Sequence, residues 1–291
     1  MNTDMAFAYC ERLATAHYEN FPIGYLVPKE KRPHFYSIYA FARTADDFAD
    51  EPQYEGDRQE RLKEWRQNLS DCYQGRAEHP IFIALQQTAE CYDLPESLFQ
   101  DLLTAFLMDT KIRRYPAYSD LLYYCRHSAN PVGRLILLLF GYRDEERCRL
   151  SDYICTALQL TNFWQDVSID LKKNRIYIPK EDMERFSYSE ERLKRHDYNE
   201  NLAELMRFQV DRTERLFALG RALPDMTGRG LRFELRCVWL GGMTILQKIA
   251  ERNYNIFYRP KISAINKLFI LFKAFQGFSG IGRENQKVAP L

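Results

Sequence analysis

Two pairs of aspartates have the spacing of metal-binding carboxylates on helices. Asp46 and Asp50 lie four residues apart, and so do Asp166 and Asp170. On an α-helix, residues four apart project from one face, one turn from each other. Two hard carboxylates placed in this way suit Mg²⁺, which takes few protein ligands and is often shared with the phosphate oxygens of a substrate. Taken alone, the first pair is equally consistent with a solvated helix face.

The second pair belongs to a polar stripe along an otherwise apolar helix. Gln159, Asn162, Asp166 and Asp170 follow one another at spacings of three, four and four, in a segment that is mostly apolar or small elsewhere. A helix that is apolar around most of its girth packs in the interior. Its carboxylates then need partners, because an unpaired buried charge is very costly. Together the two pairs predict a metal–diphosphate site between two helices.

Basic residues flank both pairs. Arg43 precedes Asp46 by three residues, and Lys172, Lys173 and Arg175 follow the second pair. Guanidinium and ammonium groups bind phosphates, so these side chains are candidates for holding a diphosphate. For Lys172 and Lys173, a solvated helix end is the alternative interpretation.

A third segment, residues 123–134 (YYCRHSANPVGR), interrupts a helical pattern. Pro131 removes a backbone hydrogen bond and predicts a kink, while Gly133 permits the close approach of another helix or a ligand. A packing kink and a functional loop both remain open. His127 is a lone histidine and is not assigned as a ligand or base.

Helical periodicity covers nearly the whole chain and predicts an all-α protein with a single domain at 1–291, of which 281–291 is a loose tail. Long helices are predicted at 31–51, 96–111, 119–139 and 145–170. The segment 175–186 is predicted to be an irregular connection. A long polar helix at 190–219 is expected on the outside, and a more apolar one at 233–253 in the centre. The segment 262–275 is expected to be a packed helix, with a membrane-surface helix as the alternative.

Composition excludes several classes of protein. A net charge of +1 over 291 residues gives no attraction to nucleic acid, and none is expected as a partner. The seven cysteines form no CxxC pair, which indicates reduced thiols in a cytoplasmic protein. No apolar stretch reaches 18 residues and the N-terminus lacks the pattern of a signal peptide, so no membrane-spanning anchor is expected.

These runs, together with HYENF at 17–21, resemble the squalene/phytoene synthase family of head-to-head prenyl synthases. The likeness extends from about residue 5 to 270, and its most specific parts are DDFAD at 46–50 and NFWQDVSID at 162–170, followed by RIY at 175–177. The resemblance implies an all-α isoprenoid-synthase fold around a central apolar cavity, with the two aspartate motifs on opposing walls.

The resemblance also implies roles for individual residues. Those expected to bind Mg²⁺, as two or three ions, are Asp46, Asp50, Asp166 and Asp170, assisted by Asn162. Those expected to bind the substrate, by holding the diphosphate or lining the pocket, are His17, Phe21, Tyr39, Arg43, Tyr124, Asn162, Gln165, Arg175, Tyr177 and Tyr254. The catalytic candidates are the four aspartates and Tyr124, and the candidates for positioning a water molecule are Asn162, Gln165 and Tyr124.

One departure from the family pattern is informative. The position before Asp166 is commonly Arg in the family and is Gln165 here. With HYENFP near the start and SANPVGR in the middle, the chain is most similar to the branch that converts presqualene diphosphate and water to hydroxysqualene in bacterial hopanoid pathways. That substrate carries one diphosphate rather than the two of a farnesyl diphosphate pair, so the site needs one fixed cation less. Drift at a tolerant position is the alternative.

Two other functions stay open. One is a family member that condenses two prenyl diphosphates to presqualene diphosphate, squalene or phytoene. The other, from a different class, is a non-catalytic lipid-binding or assembly factor, against which the four intact aspartates argue. No GxGxxG follows a strand pattern, so no NADPH site is expected. Because a C30 product is too apolar to enter water, peripheral contact with the inner membrane or with neighbouring pathway enzymes is expected.

Overall fold

In a computed structural model, the chain is described over residues 1–16 and 27–277. Across these ranges the structure is helical, and the isolated bridge between Arg114 and Ile176 is its one β-type pairing. The predicted all-α fold is thereby confirmed. The helices are α1 Thr3–Ala16, α2 Arg32–Asp50, α3 Arg58–Tyr73, α4 Pro80–Tyr92, α5 Glu96–Lys111, α6 Tyr118–Ser128, α7 Asn130–Leu139, α8 Glu145–Asp170, α9 Lys180–Arg185, α10 Glu190–Lys194, α11 Glu200–Gly220, α12 Arg229–Ala250 and α13 Ala264–Gln276, with 3₁₀ turns at Pro52–Tyr54, Leu171–Lys173 and Leu223–Met226.

The first aspartate motif lies at the C-terminal end of α2. Pro33 stands in the first turn of this helix, where a missing N–H costs no hydrogen bond. At the other end Pro52 disfavours a helical conformation at Glu51, whose ψ is 138°. The helix therefore stops directly after Asp50.

The second motif ends α8, the longest helix in the described part of the chain. The Asp144 carboxylate accepts a hydrogen bond from the Arg147 N–H at 3.0 Å and caps its start. At its end a 3₁₀ turn leads to Asn174, which adopts the left-handed conformation with φ 55°. The backbone N–H of Arg175 then donates to the Asp170 carbonyl at 2.8 Å. This turn brings the basic residues back towards the aspartates.

The core consists of two clusters, and each contains one aspartate helix. The first cluster includes α2 with α1, α3, α4 and α5, and the second includes α8 with α6, α11, α12 and α13. Ile136 and Phe140 pack against both clusters. The two aspartate motifs are thus presented from two different parts of the helical assembly. The single domain at 1–291 stays a prediction, and the tail at 281–291 lies outside the described residues.

The segment 119–139 is two helices rather than one kinked helix. The chain breaks at Ala129, and Pro131 falls in the first turn of α7, where proline is well tolerated. A Cβ at Gly133 would overlap Ser151 Oγ and Cys155 Sγ of α8. Of the two roles open for this glycine, the structure thus shows the close approach of another helix.

The prediction of one exposed helix at 190–219 is wrong. The segment forms α10 and α11, and α11 buries a face that includes Leu205, Met206, Val210 and Phe217 while packing extensively on α8. Its many charged residues lower the average hydropathy, but the apolar residues recur on one face. The segment predicted as an irregular connection at 175–186 also contains a short helix, α9.

The C-terminal helix α13 packs on α12, as expected, but buries only a narrow stripe that includes Ile270 and Ala274. Among the described residues, none of the helices combines the length and apolar character needed to cross a bilayer.

A buried acid in α12 makes stability depend on pH. Glu234 is 6% exposed and its Oε2 has no hydrogen-bond partner among the described residues. Burial raises the pKa of Glu234 from its usual 4.5 to about 8. Since the pKa is higher in the folded than in the unfolded chain, the carboxyl supports folding fully below about pH 4.5, and this support is lost as the pH rises through about 8.

Replacing this acid by an amide should remove its contribution to the pH dependence of stability. Glu234→Gln cannot ionise, so its free energy of unfolding should rise relative to wild type between pH 5 and pH 8, by about 2–4 kcal/mol at the upper end. Denaturant unfolding at the two pH values measures the difference, with Glu251→Gln, at the exposed end of the same helix, as the matched control. An equal effect of Glu234→Gln at both pH values would contradict the assignment.

Candidate active site

The first motif places a guanidinium beside its carboxylates. Arg43 Nη2 lies 2.5 Å from Asp47 Oδ1, and Arg43 Nη1 lies 3.5 Å from Asp46 Oδ2. Partial burial, opposed by the Arg43 charge, raises the pKa of Asp46 to about 6. Tyr39 stands one turn before Arg43, and burial raises the pKa of its hydroxyl. Arg43 is therefore bound mainly to Asp47, a residue to which the sequence assigned no role.

Asp50 connects α2 to the segment that follows α8. Arg175 Nη1 lies 2.8 Å from Asp50 Oδ1, and Lys173 Nζ contacts Asp50 Oδ2. Burial opposes ionisation of Asp50, but the hydrogen bond from Lys173 and the charge of Arg175 outweigh it and lower the pKa of this carboxyl. Lys172 is exposed, in agreement with the solvated helix end left open for it.

The turn that carries these cations is fastened from outside the site. Arg114 donates to the Asn174 carbonyl at 2.6 Å and to its side-chain Oδ1 at 2.8 Å. The same guanidinium makes a bidentate pair with Glu190, at 2.9 Å and 2.6 Å. Residues before α6 and in α10 therefore hold the backbone that positions Lys173 and Arg175.

In the second motif, Asp166 has two partners. The Arg259 guanidinium forms a bidentate pair with it, in which Nη2 lies 3.1 Å from Oδ2. The amide of Asn162 donates to the same carboxylate at 3.3 Å. Arg259 is 93 residues away in the chain, in the linker between α12 and α13, and no spacing in the sequence pointed to it.

Asp170 shows that the two motifs share one electrostatic site. Partial burial, and after it the charge of Asp166, raises the pKa of Asp170 to about 7. The Asp50 carboxylate acts in the same direction from α2, while Arg175 and Lys173 oppose it. The structure therefore brings the second aspartate of each motif to a common pair of cations.

The carboxylate oxygens of this site are suitable ligands for Mg²⁺. The cations nearby do not offset the burial and repulsion that raise the pKa of Asp46 and Asp170, so added positive charge would stabilise both carboxylates. Carboxylate oxygens are the ligands that Mg²⁺ prefers. Within the described ranges no three His, Cys, Asp or Glu side chains are grouped closely enough to hold an ion by themselves.

A further acid, Asp109, is buried next to the site. It is 8% exposed, and its carboxylate accepts hydrogen bonds from the hydroxyls of Tyr124 at 2.7 Å and Tyr177 at 3.5 Å. Burial raises the pKa of Asp109 to about 6, although the Tyr124 hydrogen bond and the Arg175 charge lower it. Positions 98, 102, 105 and 109 form the buried stripe of α5. A polar residue on the apolar face of a helix, the pattern of α8, therefore marks Asp109 in the sequence of α5 as well.

Four rings pack next to these acids. This aromatic group consists of Tyr115, Tyr124, Phe163 and Tyr177. Phe163 and Tyr177 are stacked with their centroids 3.7 Å apart, and Tyr115 also stacks on Tyr177, with the centroids 5.6 Å apart. The cavity between Phe163, Tyr177, Asp170 and Arg175 is about 10 Å³, room for one water molecule. Next to Asp170 and Arg175, the aromatic group is thus closely packed and forms a wall of the site.

The other residues predicted to bind the substrate do not all lie beside the acids. Gln165 donates its amide to the Pro260 carbonyl at 2.7 Å and so holds the linker that carries Arg259. Tyr254 lies in the turn after α12 with the Arg207 guanidinium 5.4 Å from its ring, away from the contacts of the acids. His17 and Phe21 lie outside the described residues.

The Gln165 contact changes the interpretation of this position. The sequence suggested that a neutral residue here leaves the site with one fixed cation less. The structure instead supplies a guanidinium next to Asp166 from Arg259, and Gln165 anchors the adjacent residue. The positive charge next to Asp166 therefore comes from Arg259, in a distant part of the chain, and not from position 165.

Known proteins are similar to this chain in sequence and in fold. The family model for squalene/phytoene synthase matches residues 14–266. A 15-cis-phytoene synthase of Synechocystis is 28% identical over 89% of this chain and 80% of its own length. A hydroxysqualene synthase of Zymomonas mobilis is 39% identical over 57% of this chain and 56% of its own.

Solved structures of the same family also have this fold. The crystal structure of a squalene synthase from Alicyclobacillus acidocaldarius matches with a TM-score of 0.84 and 40% identity, covering 87% of this chain and 96% of that one. The predicted helical isoprenoid-synthase fold is thereby confirmed. With two aspartate motifs linked through Lys173 and Arg175 and a family match over most of its length, this chain belongs to the squalene/phytoene synthase family.

Proposed function

We propose that this chain is a hydroxysqualene synthase, which converts presqualene diphosphate and water to hydroxysqualene and diphosphate. The observation that carries the proposal is the pair of aspartate motifs on α2 and α8 joined through Arg175 and Lys173. The higher identity to the Zymomonas hydroxysqualene synthase than to the Synechocystis phytoene synthase supports this branch of the family.

The site fits the release of a diphosphate. Asp46, Asp50, Asp166 and Asp170 would hold Mg²⁺, which neutralises the charge of a departing diphosphate when bound. Arg175 is 9% exposed at its side chain and contacts Asp50, so it offers a fixed guanidinium at the inner edge of the site. A rigid, poorly hydrated guanidinium binds phosphate oxygens through paired N–H groups.

The aromatic group fits the carbocation that follows. Cleavage of the C–O bond leaves its electron pair on the diphosphate and a cyclopropylcarbinyl cation on the carbon chain. The π electrons of this aromatic wall attract such a cation without offering a strong nucleophile. Ring opening gives an allylic cation, whose carbon forms a bond to a water oxygen, and the proton released passes to the diphosphate. Asn162, Gln165 and Tyr124 are the candidates for holding that water.

Removing one charge from each motif should stop the reaction. Asp50→Asn and Asp166→Asn keep the side-chain volume but weaken the hold on Mg²⁺, so kcat should fall by about 100-fold or more. Diphosphate release in the presence of Mg²⁺ measures turnover, and circular dichroism checks that helicity is retained. Asp71→Asn, at a surface carboxylate paired with Arg76, is the matched control. Full activity in both site variants would eliminate the proposed site.

A paired substrate assay separates this function from its nearest rival. The phytoene synthase relatives cover more of the chain, which favours condensation of two prenyl diphosphates as the second candidate. Purified protein with Mg²⁺ should convert presqualene diphosphate to hydroxysqualene, identified by mass spectrometry. Turnover of farnesyl or geranylgeranyl diphosphate without turnover of presqualene diphosphate would assign the chain to the second candidate.

Position 165 should influence the product. Gln165→Arg places a second guanidinium beside Arg259 and removes the hydrogen bond to Pro260, so water capture should weaken and the product mixture should change. Gln165→Ala removes the same hydrogen bond without adding charge, and therefore separates the two effects. Product analysis with presqualene diphosphate is the measurement. If Gln165→Arg leaves both product and rate as in the wild type, position 165 has no part in water capture.

A further inference from the structure

Helix α13 exposes nearly all of its large apolar side chains. We call these residues the α13 apolar face: Ile265, Leu268, Phe269, Leu271, Phe272 and Phe275. Their exposed fractions range from 41% for Leu271 to 82% for Phe275. A contiguous apolar surface of this kind on a folded protein marks an interaction site.

Two lysines border this face on opposite sides. With roughly 100° of rotation per residue, Lys267 and Lys273 each lie about 60° from the buried Ile270, one in either direction. The α13 apolar face occupies the arc opposite Ile270, between the two lysines. Lysine side chains at such edges can lay their alkyl stems along apolar surface and reach outwards with their ammonium groups. This is the arrangement of a helix that lies in a membrane interface.

The charged residues of the segment that contains α13 are all of one sign. Residues 252–277 contain five basic residues and no acidic one, and of the five only Arg259 is engaged with an acid of the site. A surface that is apolar in its centre and cationic at its borders complements anionic lipid headgroups. A second copy of the chain docked through the same face would bring lysines next to lysines, with no acidic residue of the segment to pair with them.

The dimensions of α13 set its orientation. Thirteen residues give a helix of about 20 Å, shorter than the roughly 30 Å hydrocarbon core of a bilayer. Such a helix can lie along the surface but cannot cross. Tyr258, 65% exposed in the preceding linker, adds an amphipathic ring of the type that sits at headgroup level.

We propose that the α13 apolar face docks on the surface of a lipid bilayer containing anionic lipids, with Lys267 and Lys273 at the level of the headgroups. The linker that leads to α13 also carries Arg259 and Pro260, which contact Asp166 and Gln165. The docked helix is therefore joined directly to the linker that contacts the acidic site. The proposal rests on the exposed surface of α13 and stands independently of the reaction that the site performs.

Vesicle binding by the full chain tests the proposal. The wild type should co-sediment with phosphatidylcholine vesicles that contain phosphatidylglycerol, and should do so more weakly with phosphatidylcholine alone. Phe269→Ser with Phe272→Ser should weaken binding to the mixed vesicles about 10-fold or more, because two exposed rings no longer enter the interface. Lys267→Gln with Lys273→Gln should reduce binding to the level seen with phosphatidylcholine alone.

Tyr123→Ser with Leu219→Ser is the matched control, since both side chains are exposed on other helices, and it should bind as the wild type does. Circular dichroism checks folding of every variant, and light scattering reports the oligomeric state. Two results would each overturn the proposal: a wild type that binds neither kind of vesicle, or a phenylalanine double variant that binds vesicles as well as the wild type. In the second case, dissociation of an oligomer in that variant would assign the face to a second copy of the chain.

Discussion

The attraction between Asp50 and the two cations that follow α8 is the interaction on which the site depends. The two aspartate helices belong to different hydrophobic clusters, and burial of apolar surface positions each helix without specifying that their carboxylates meet. Arg175 and Lys173 supply that specification, because both reach from the end of α8 to the end of α2. An ion pair of this kind adds less to stability than to the choice of one arrangement.

The site is nevertheless left with uncompensated negative charge. Arg175 and Lys173 lower the pKa of Asp50, whereas Asp46 and Asp170 keep a raised pKa. Cations fixed by the protein therefore hold the two helices together, and the remaining carboxylates are available to a mobile cation. The aromatic group adjoins the same charges through Asp109, so polar and apolar walls meet at Arg175.

Local features of the chain were predictable and distant contacts were not. The bounds of α8 and the place where α2 ends follow from caps, prolines and periodicity within a few residues of each terminus. The buried face of α11 was missed because average polarity concealed its periodicity. The pairing of Asp166 with Arg259 joins residues 93 apart, and the anchoring of Pro260 by Gln165 joins residues 95 apart. No local rule identifies such partners, since they arise only when α12 packs beside α8.

The left-handed residue Asn174 makes the charge balance of the site sensitive to a distant arginine. Asn174 adopts a backbone conformation that few residues tolerate, and Arg114 secures it by bonds to both its carbonyl and its side chain. Lys173 and Arg175 lie on either side of this one torsion. Variation at position 114 or 174 would consequently shift Lys173 and Arg175, and with them the charge around Asp50 and Asp170, without changing any residue of the two aspartate motifs.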